Sequence, residues 1–285
     1  MALQSVKKLL TDAYKNGYGV AAINVFNYES IKWAVQAAER EQMPILIQFY
    51  PGYLPFISFE QVSQIAKTLI RDTTVPIGLH QDHSATYELA LQGMKGGFPS
   101  VMIDKSTSPF EENVAVTAEV VKAAHAMGIE VEGELGHVGS ANNLDDFKNP
   151  NHFTAVEDAV NYVEQTHVDS LAVAVGNAHG PYIATPELDF KRISELRAAL
   201  DIPLVLHGCS DIPTEQLKKS VELGISKYNI ATEWDRHFYN TLKNQMETGG
   251  RNAHYPNLLA IEEQMIEFVQ SKIKILNPNN VKYVK

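Results

Sequence analysis

Histidine falls where three apolar runs end. Val75-Pro76-Ile77-Gly78-Leu79 leads into His80-Gln81-Asp82-His83. Ser170–Gly176 leads to His179-Gly180, and Pro203–Leu206 leads to His207-Gly208. A buried strand has no packing use for imidazole or carboxylate at its tip. A metal site does, because imidazole nitrogen is a good ligand and a neighbouring carboxylate can move protons beside the ion. His83, His179 and His207 are the candidate ligands, and three neutral imidazoles leave open the coordination position of a catalytic zinc site. Asp82 is either a proton donor and acceptor or a carboxylate that orients an imidazole. Asp104 and Glu134 also end apolar runs. They are candidates for a second metal position, against the simpler reading of ion pairs with Lys105 or another neighbour. His125, His167, His237 and His254 fall in helical or connecting patterns and read as structural or solvated. His80 and His137 stay open, and His152 falls on a loop.

Such residues need rigid elements to bring them together. Strand patterns occur at Val20–Val25, Ile45–Phe49, Ile77–His80, Ser100–Asp104, Ile129–Leu135, Ser170–Val175, Leu204–His207 and Lys227–Ile230. They are nearly continuous apolar runs, as expected when both faces are buried. Helical patterns separate them, for example Glu29–Glu41, Phe59–Arg71, Phe110–Ala126 and Thr214–Leu223. Ser5 can cap a first helix with Val6, Leu9, Leu10, Ala13 and Tyr14 on its apolar face. Leu258–Ile273 patterns as a last one. The alternation predicts an α/β fold, a (β/α)8 TIM barrel over 1–285 with extra N-terminal and C-terminal helices, the latter in an extension from about 250. The competing topology is a doubly wound open sheet. The barrel is favoured because the titratable tips follow so many different strands. The long stretch Gly136–His152 shows no clear periodicity and is a candidate mobile lid.

The 285 residues are 45% hydrophobic, enough for one large core, and the net charge of -10 argues against nucleic acid and anionic membranes. An anionic ligand must therefore be held by local donors or a metal. Cys209 is the only cysteine, so no intrachain disulfide forms, which fits a reducing compartment. Charged residues within the first 17 exclude a signal peptide pattern, and no apolar run approaches the roughly 20 residues of a membrane span. The expectation is a cytoplasmic protein. Gly208, Ser210, Asn229 and Thr232 lie after the seventh and eighth strands, where barrels often bind phosphate; the plainer reading is turn and cap chemistry.

The chain resembles the class II, metal-dependent ketose-bisphosphate aldolases of the fructose- and tagatose-bisphosphate type. The resemblance runs through Asn24-Val25-Phe26-Asn27-Tyr28-Glu29, His80-Gln81-Asp82-His83, Ser100–Asp104 and Pro109–Asn113. It continues through Glu132-Gly133-Glu134-Leu135-Gly136, Gly176-Asn177-Ala178-His179-Gly180, His207-Gly208 and Asn229–Glu233. It implies reversible aldol cleavage of a ketose mono- or bisphosphate to dihydroxyacetone phosphate and an aldehyde. One Zn2+ per subunit is implied on His83, His179 and His207, with Asp82 as the acid/base for the aldehyde-derived hydroxyl. Asn24, Gly180, Gly208, Ser210, Asn229 and Thr232 are implied around substrate and its phosphate, with Na+ or K+ nearby. A homodimer or homotetramer is implied, with Arg251 near the segment that brings a distal-phosphate arginine from a partner subunit.

The chain also departs from this family. Cys209 and Asp211 stand in the phosphate loop, and Asn142 and Asn143 replace acidic lid residues, so either Asp145 or Asp146 substitutes or the lid works differently. Gln48-Phe49-Tyr50-Pro51 is bulky where relatives are small and polar. A bisphosphate sugar leads the expectations, followed by a single-phosphate ketose or sugar acid. The competitors are a Schiff-base aldolase, for which the sixth strand has no lysine and Lys227 only opens the eighth, and an inactive sugar-phosphate binder.

Overall fold

The computed structural model describes residues 3–283. Eight parallel strands close into a barrel in sequence order: β1 Val20–Asn24, β2 Ile45–Phe49, β3 Ile77–Ser84, β4 Ser100–Ile103, β5 Glu130–Leu135, β6 Ser170–Val173, β7 Leu204–Leu206 and β8 Ile225–Ile230. Closure is the pairing of Val20 with Lys227 and Ile23 with Ile230. The fold is the (β/α)8 barrel, because parallel neighbours require crossovers and the helices between strands supply them.

Local chemistry sets the element ends. Ser5 caps Val6–Asn16 by accepting the Lys8 N–H, and Gly17 ends that helix in the left-handed conformation (φ 71°). Asn27 and Ser30 form a reciprocal capping box that starts Tyr28–Glu41 immediately after β1. The last helix, His254–Ile275, packs on Tyr28–Glu41, where the Trp33 indole N–H donates to Glu262 at 3.0 Å.

Two boundaries differ from the sequence reading. Strand β8 starts at Ile225, so Lys227 does not open it but lies within it, fully buried. Alternation hid this start, because the strand carries Ser226 and Lys227 into the interior. The stretch after β5 is not structureless either: it holds a short helix, Leu144–Lys148, and a 3-10 turn, Pro150–His152. Phe147 there is buried with Ala141 and Ala178 in a small satellite core.

Candidate active site

Strand β3 runs past its apolar part to Ser84, and its register with β4 shifts between Gln81 and Ser84. A bulge of this kind re-aims a side chain. Its product is His83, whose φ of 39° is strained for a residue with a Cβ. From this position its ring meets those of His179 and His207, with centroids 4.9 and 4.6 Å away; the latter two are 5.7 Å apart. One ring nitrogen from each lies within 4.8 Å of the others, a group that could hold a metal ion.

A partner fixes each ring. His83 Nδ1 faces Asp104 Oδ2 at 3.0 Å, His179 Nδ1 faces the Val138 carbonyl at 3.1 Å, and His207 Nε2 faces Glu132 Oε1 at 2.9 Å. The remaining nitrogen of His179 is shut from solvent and makes no hydrogen bond, and that of His207, also buried, has only the Glu134 carboxylate beside it at 3.1 Å. Buried polar atoms without partners are rare and call for an unplaced ion or water. A divalent cation fits this donor set, with orienting contacts on the far side of each ring. Asp104 and Glu134 converge with His83 in a second such group, and Ser106 Oγ bridges the two carboxylates at 2.7 and 3.0 Å.

Asp82 is almost fully buried yet borders the cavity. Asn24 Nδ2 and Asn229 Nδ2 each donate to one of its oxygens at 3.0 Å. Burial pushes its pKa up, but the charges of His83, Lys227 and His207 outweigh that and bring it down to about 2. Burial takes His179 down to about 3, reinforced by His83 and His207, whereas Glu132 and Glu134 overcome burial at His207 and raise it to about 10.

The cavity above has a volume of about 470 Å³. Asn24, Asp82, His83, Asp104, His179, Gly180, Gly208, Ser210, Asn229 and Thr232 all line it; His207 lies beneath, fully buried, beside Glu134. Gly208 takes φ 61°, and a Cβ there would run into the Ala178 carbonyl. Arg251 is exposed and lies outside the cavity lining.

The class II fructose-bisphosphate aldolase family model matches residues 4–281. The chain belongs to this family. It is accordingly an aldolase, a carbon–carbon lyase. A sulfofructosephosphate aldolase of Alkalicoccus urumqiensis is 37% identical over 282 residues, covering 98% of either chain. The crystal structure of the YdjI aldolase from Escherichia coli K12 superposes with a TM-score of 0.84 at 33% identity, over 96% of this chain and 97% of that one. The fructose-bisphosphate aldolase of Campylobacter jejuni, at 24% identity, has the same fold with a TM-score of 0.79, over 97% of this chain and 94% of its own.

In this class II aldolase the residues missed by sequence reading lie below and beside the histidines. Lys227 Nζ binds both oxygens of Glu132, at 2.8 and 3.0 Å, and His80 stands 3.7 Å from the same carboxylate. Burial drives the His80 pKa down to about 3, with Lys227 adding to it, so this ring is a neutral part of the floor. Alternating Glu130, Glu132 and Glu134 in a buried strand was the available signal. Ser106, Thr107, Tyr53 and Val138 line the cavity without any sequence pattern to mark them.

The departures resolve in part. Asp211 is exposed and forms a forked ion pair with Arg236 at 2.5 and 2.9 Å, so its charge is answered outside the cavity. Cys209 is buried against the Leu206 carbonyl. Neither Asn142 nor Asn143 lines the cavity, and nor do Asp145 and Asp146; Asn143 caps Leu144–Lys148 and Asp146 accepts the Ser140 N–H at 2.6 Å. Among the described residues no helix is long and apolar enough to cross a membrane.

Proposed function

We propose that this aldolase holds zinc on His83, His179 and His207 and cleaves a ketose 1-phosphate into dihydroxyacetone phosphate and an aldehyde. The convergence of three ring nitrogens within 4.8 Å, with the inner nitrogen of His179 shut from solvent and without a partner, carries the reading. When bound, zinc supplies Lewis-acid stabilisation of the negative charge that develops on the ketone oxygen. Asp82 takes the proton from the hydroxyl on the carbon that becomes the aldehyde. The carbon–carbon bond then opens, its electron pair passes into the enediolate, and a proton taken up from water at that carbon completes dihydroxyacetone phosphate. Asn24 and Asn229 keep the carboxylate aimed during this transfer. Gly180, Gly208, Ser210 and Thr232, the last at the head of Thr232–Thr248, receive the phosphate, with a monovalent cation beside it. Asp104 and Glu134 offer zinc an alternative position.

The far end of the substrate meets Tyr50, Tyr53, Ser106 and Thr107; no lysine or arginine is among the described residues lining the cavity. Neutral hydroxyl donors suit a monoanion or a polyol better than a phosphate dianion. With the 37% identical relative acting on a sulfonated sugar, 6-sulfofructose 1-phosphate is the first substrate to assay. Arg251 would reach that end only from a second copy. Tyr239, Met246, Tyr255 and Leu259 stand exposed on the helices that flank it, and a homo-oligomer would cover them.

The decisive experiment is a cleavage screen over ketose mono-, bis- and sulfo-phosphates, before and after chelation. Loss of cleavage with chelator and its return with zinc is expected; cleavage that survives metal removal refutes the reading. A Schiff-base route predicts a covalent adduct on borohydride treatment with substrate. None is expected, because Glu132 holds Lys227 in an ion pair below the cavity.

A further inference from the structure

The loop after β5 carries a second cluster whose residues the aldol chemistry does not use. We propose that His137, Asp146 and His152 form a separate site for a zinc-class divalent cation, which clasps this loop. One ligand atom from each lies within 4.8 Å of the others. They come from three segments: the stretch just after β5, the short helix Leu144–Lys148 and the turn Pro150–His152.

Ion pairing does not account for the cluster. His137 Nε2 is 3.5 Å from Asp146 Oδ1, and His152 Nε2 is 3.6 Å from Asp145 Oδ2. Charge-assisted hydrogen bonds close to about 2.7–2.9 Å. The two imidazoles stand with centroids 5.1 Å apart, and His152 Nδ1 is shut from solvent with no partner. A ring with one free inner nitrogen and the other facing a carboxylate has the pattern of a metal-bound histidine. Asp146 is likewise oriented, by Ser140 N–H and by Asn143 Nδ2 at 2.7 Å. The backbone leaves room as well: a Cβ at Gly139 would collide with Asp146 Oδ2 and His137 Nε2. Two imidazoles and one carboxylate select zinc, cobalt or nickel over magnesium or calcium.

The site has a route to the barrel. The Gly139 carbonyl accepts the His179 backbone N–H at 2.8 Å, the Val138 carbonyl accepts from His179 Nδ1 at 3.1 Å, and the Ala141 N–H donates to the His179 carbonyl at 2.8 Å. Clasping His137, Asp146 and His152 stiffens the segment that aims His179.

The test is zinc stoichiometry by dialysis and elemental analysis on the full chain. About two ions per chain are expected in the wild type and about one in His137→Ala/His152→Ala. His83→Ala/His179→Ala should retain about one, lost when the loop substitutions are added, so this site is judged apart from the barrel reading. Asp146→Asn, which keeps the shape of the side chain, is the second variant. Added zinc should slow proteolysis within 140–152 at least about tenfold in the wild type and leave Asp146→Asn unprotected. A second equivalent that persists in the loop variant overturns the proposal. So does a wild type that binds only what His83→Ala/His179→Ala loses.

Discussion

At the scale of single residues, Asp82 and Lys227 show how a buried charge is kept useful. Replacing Asp82 by Asn preserves its shape but removes the proton acceptor. We expect kcat to fall by about 10²–10⁴ with zinc content unchanged, measured by cleavage assay and elemental analysis. Unaltered turnover would remove Asp82 from the reaction. Lys227 contacts both oxygens of Glu132, and His207 faces one of them. Lys227→Met removes the two-oxygen partner of a buried carboxylate and leaves one of its oxygens without a close donor, and denaturant unfolding should show a loss of about 3–5 kcal/mol. At the far end of the substrate, Arg251→Ala should raise KM for a sulfonated or bisphosphate substrate. For a ketose 1-phosphate with a neutral tail KM should not change, since such a tail offers no anion for the guanidinium to hold.

At the scale of elements, one carboxylate ties three pieces together. Asp169 accepts the Val131 N–H of β5 at 2.9 Å, faces His125 at the end of Phe110–His125 at 2.9 Å, and pairs with Lys7 of Val6–Asn16 at 3.1 Å. Burial raises its pKa, but these contacts together lower it below the ordinary 3.8. A depressed folded value means the contribution is complete above the unfolded pKa and disappears as pH falls through the folded one. Asp169→Asn should therefore cost about 1.5–3 kcal/mol at neutral pH and progressively less as pH falls below the ordinary carboxylate range, followed by denaturant titration at each pH. His125, which looked structural from its helical context, does serve here. The loop after β5 escaped periodicity because Leu144–Lys148 is too short to repeat a face, and its order comes from Phe147 and from side-chain caps.

At the scale of the whole molecule, the barrel was legible because its strands are apolar on both faces, and the three histidines because titratable groups interrupt such runs. What fixes them was not legible. Glu132 meets Lys227 across 95 residues, and Asn229 reaches Asp82 across 147, pairings that closure alone creates. The polar barrel floor is likewise invisible in composition. For the assembled protein, light scattering should return a dimer or tetramer, and Tyr255→Glu with Leu259→Glu should lower the mass if those side chains are covered. Metal removal should also lower Tm, because a cation bound only by the folded state stabilises it by mass action.

The paired amides around Asp82 bear on reversibility. Each carboxylate oxygen receives one N–H and keeps a lone pair for an arriving proton, so the two amides hold the group in one position in its charged and its protonated form alike. In the role proposed for Asp82, the same seat serves the proton's arrival when the sugar splits and its departure when the sugar is joined.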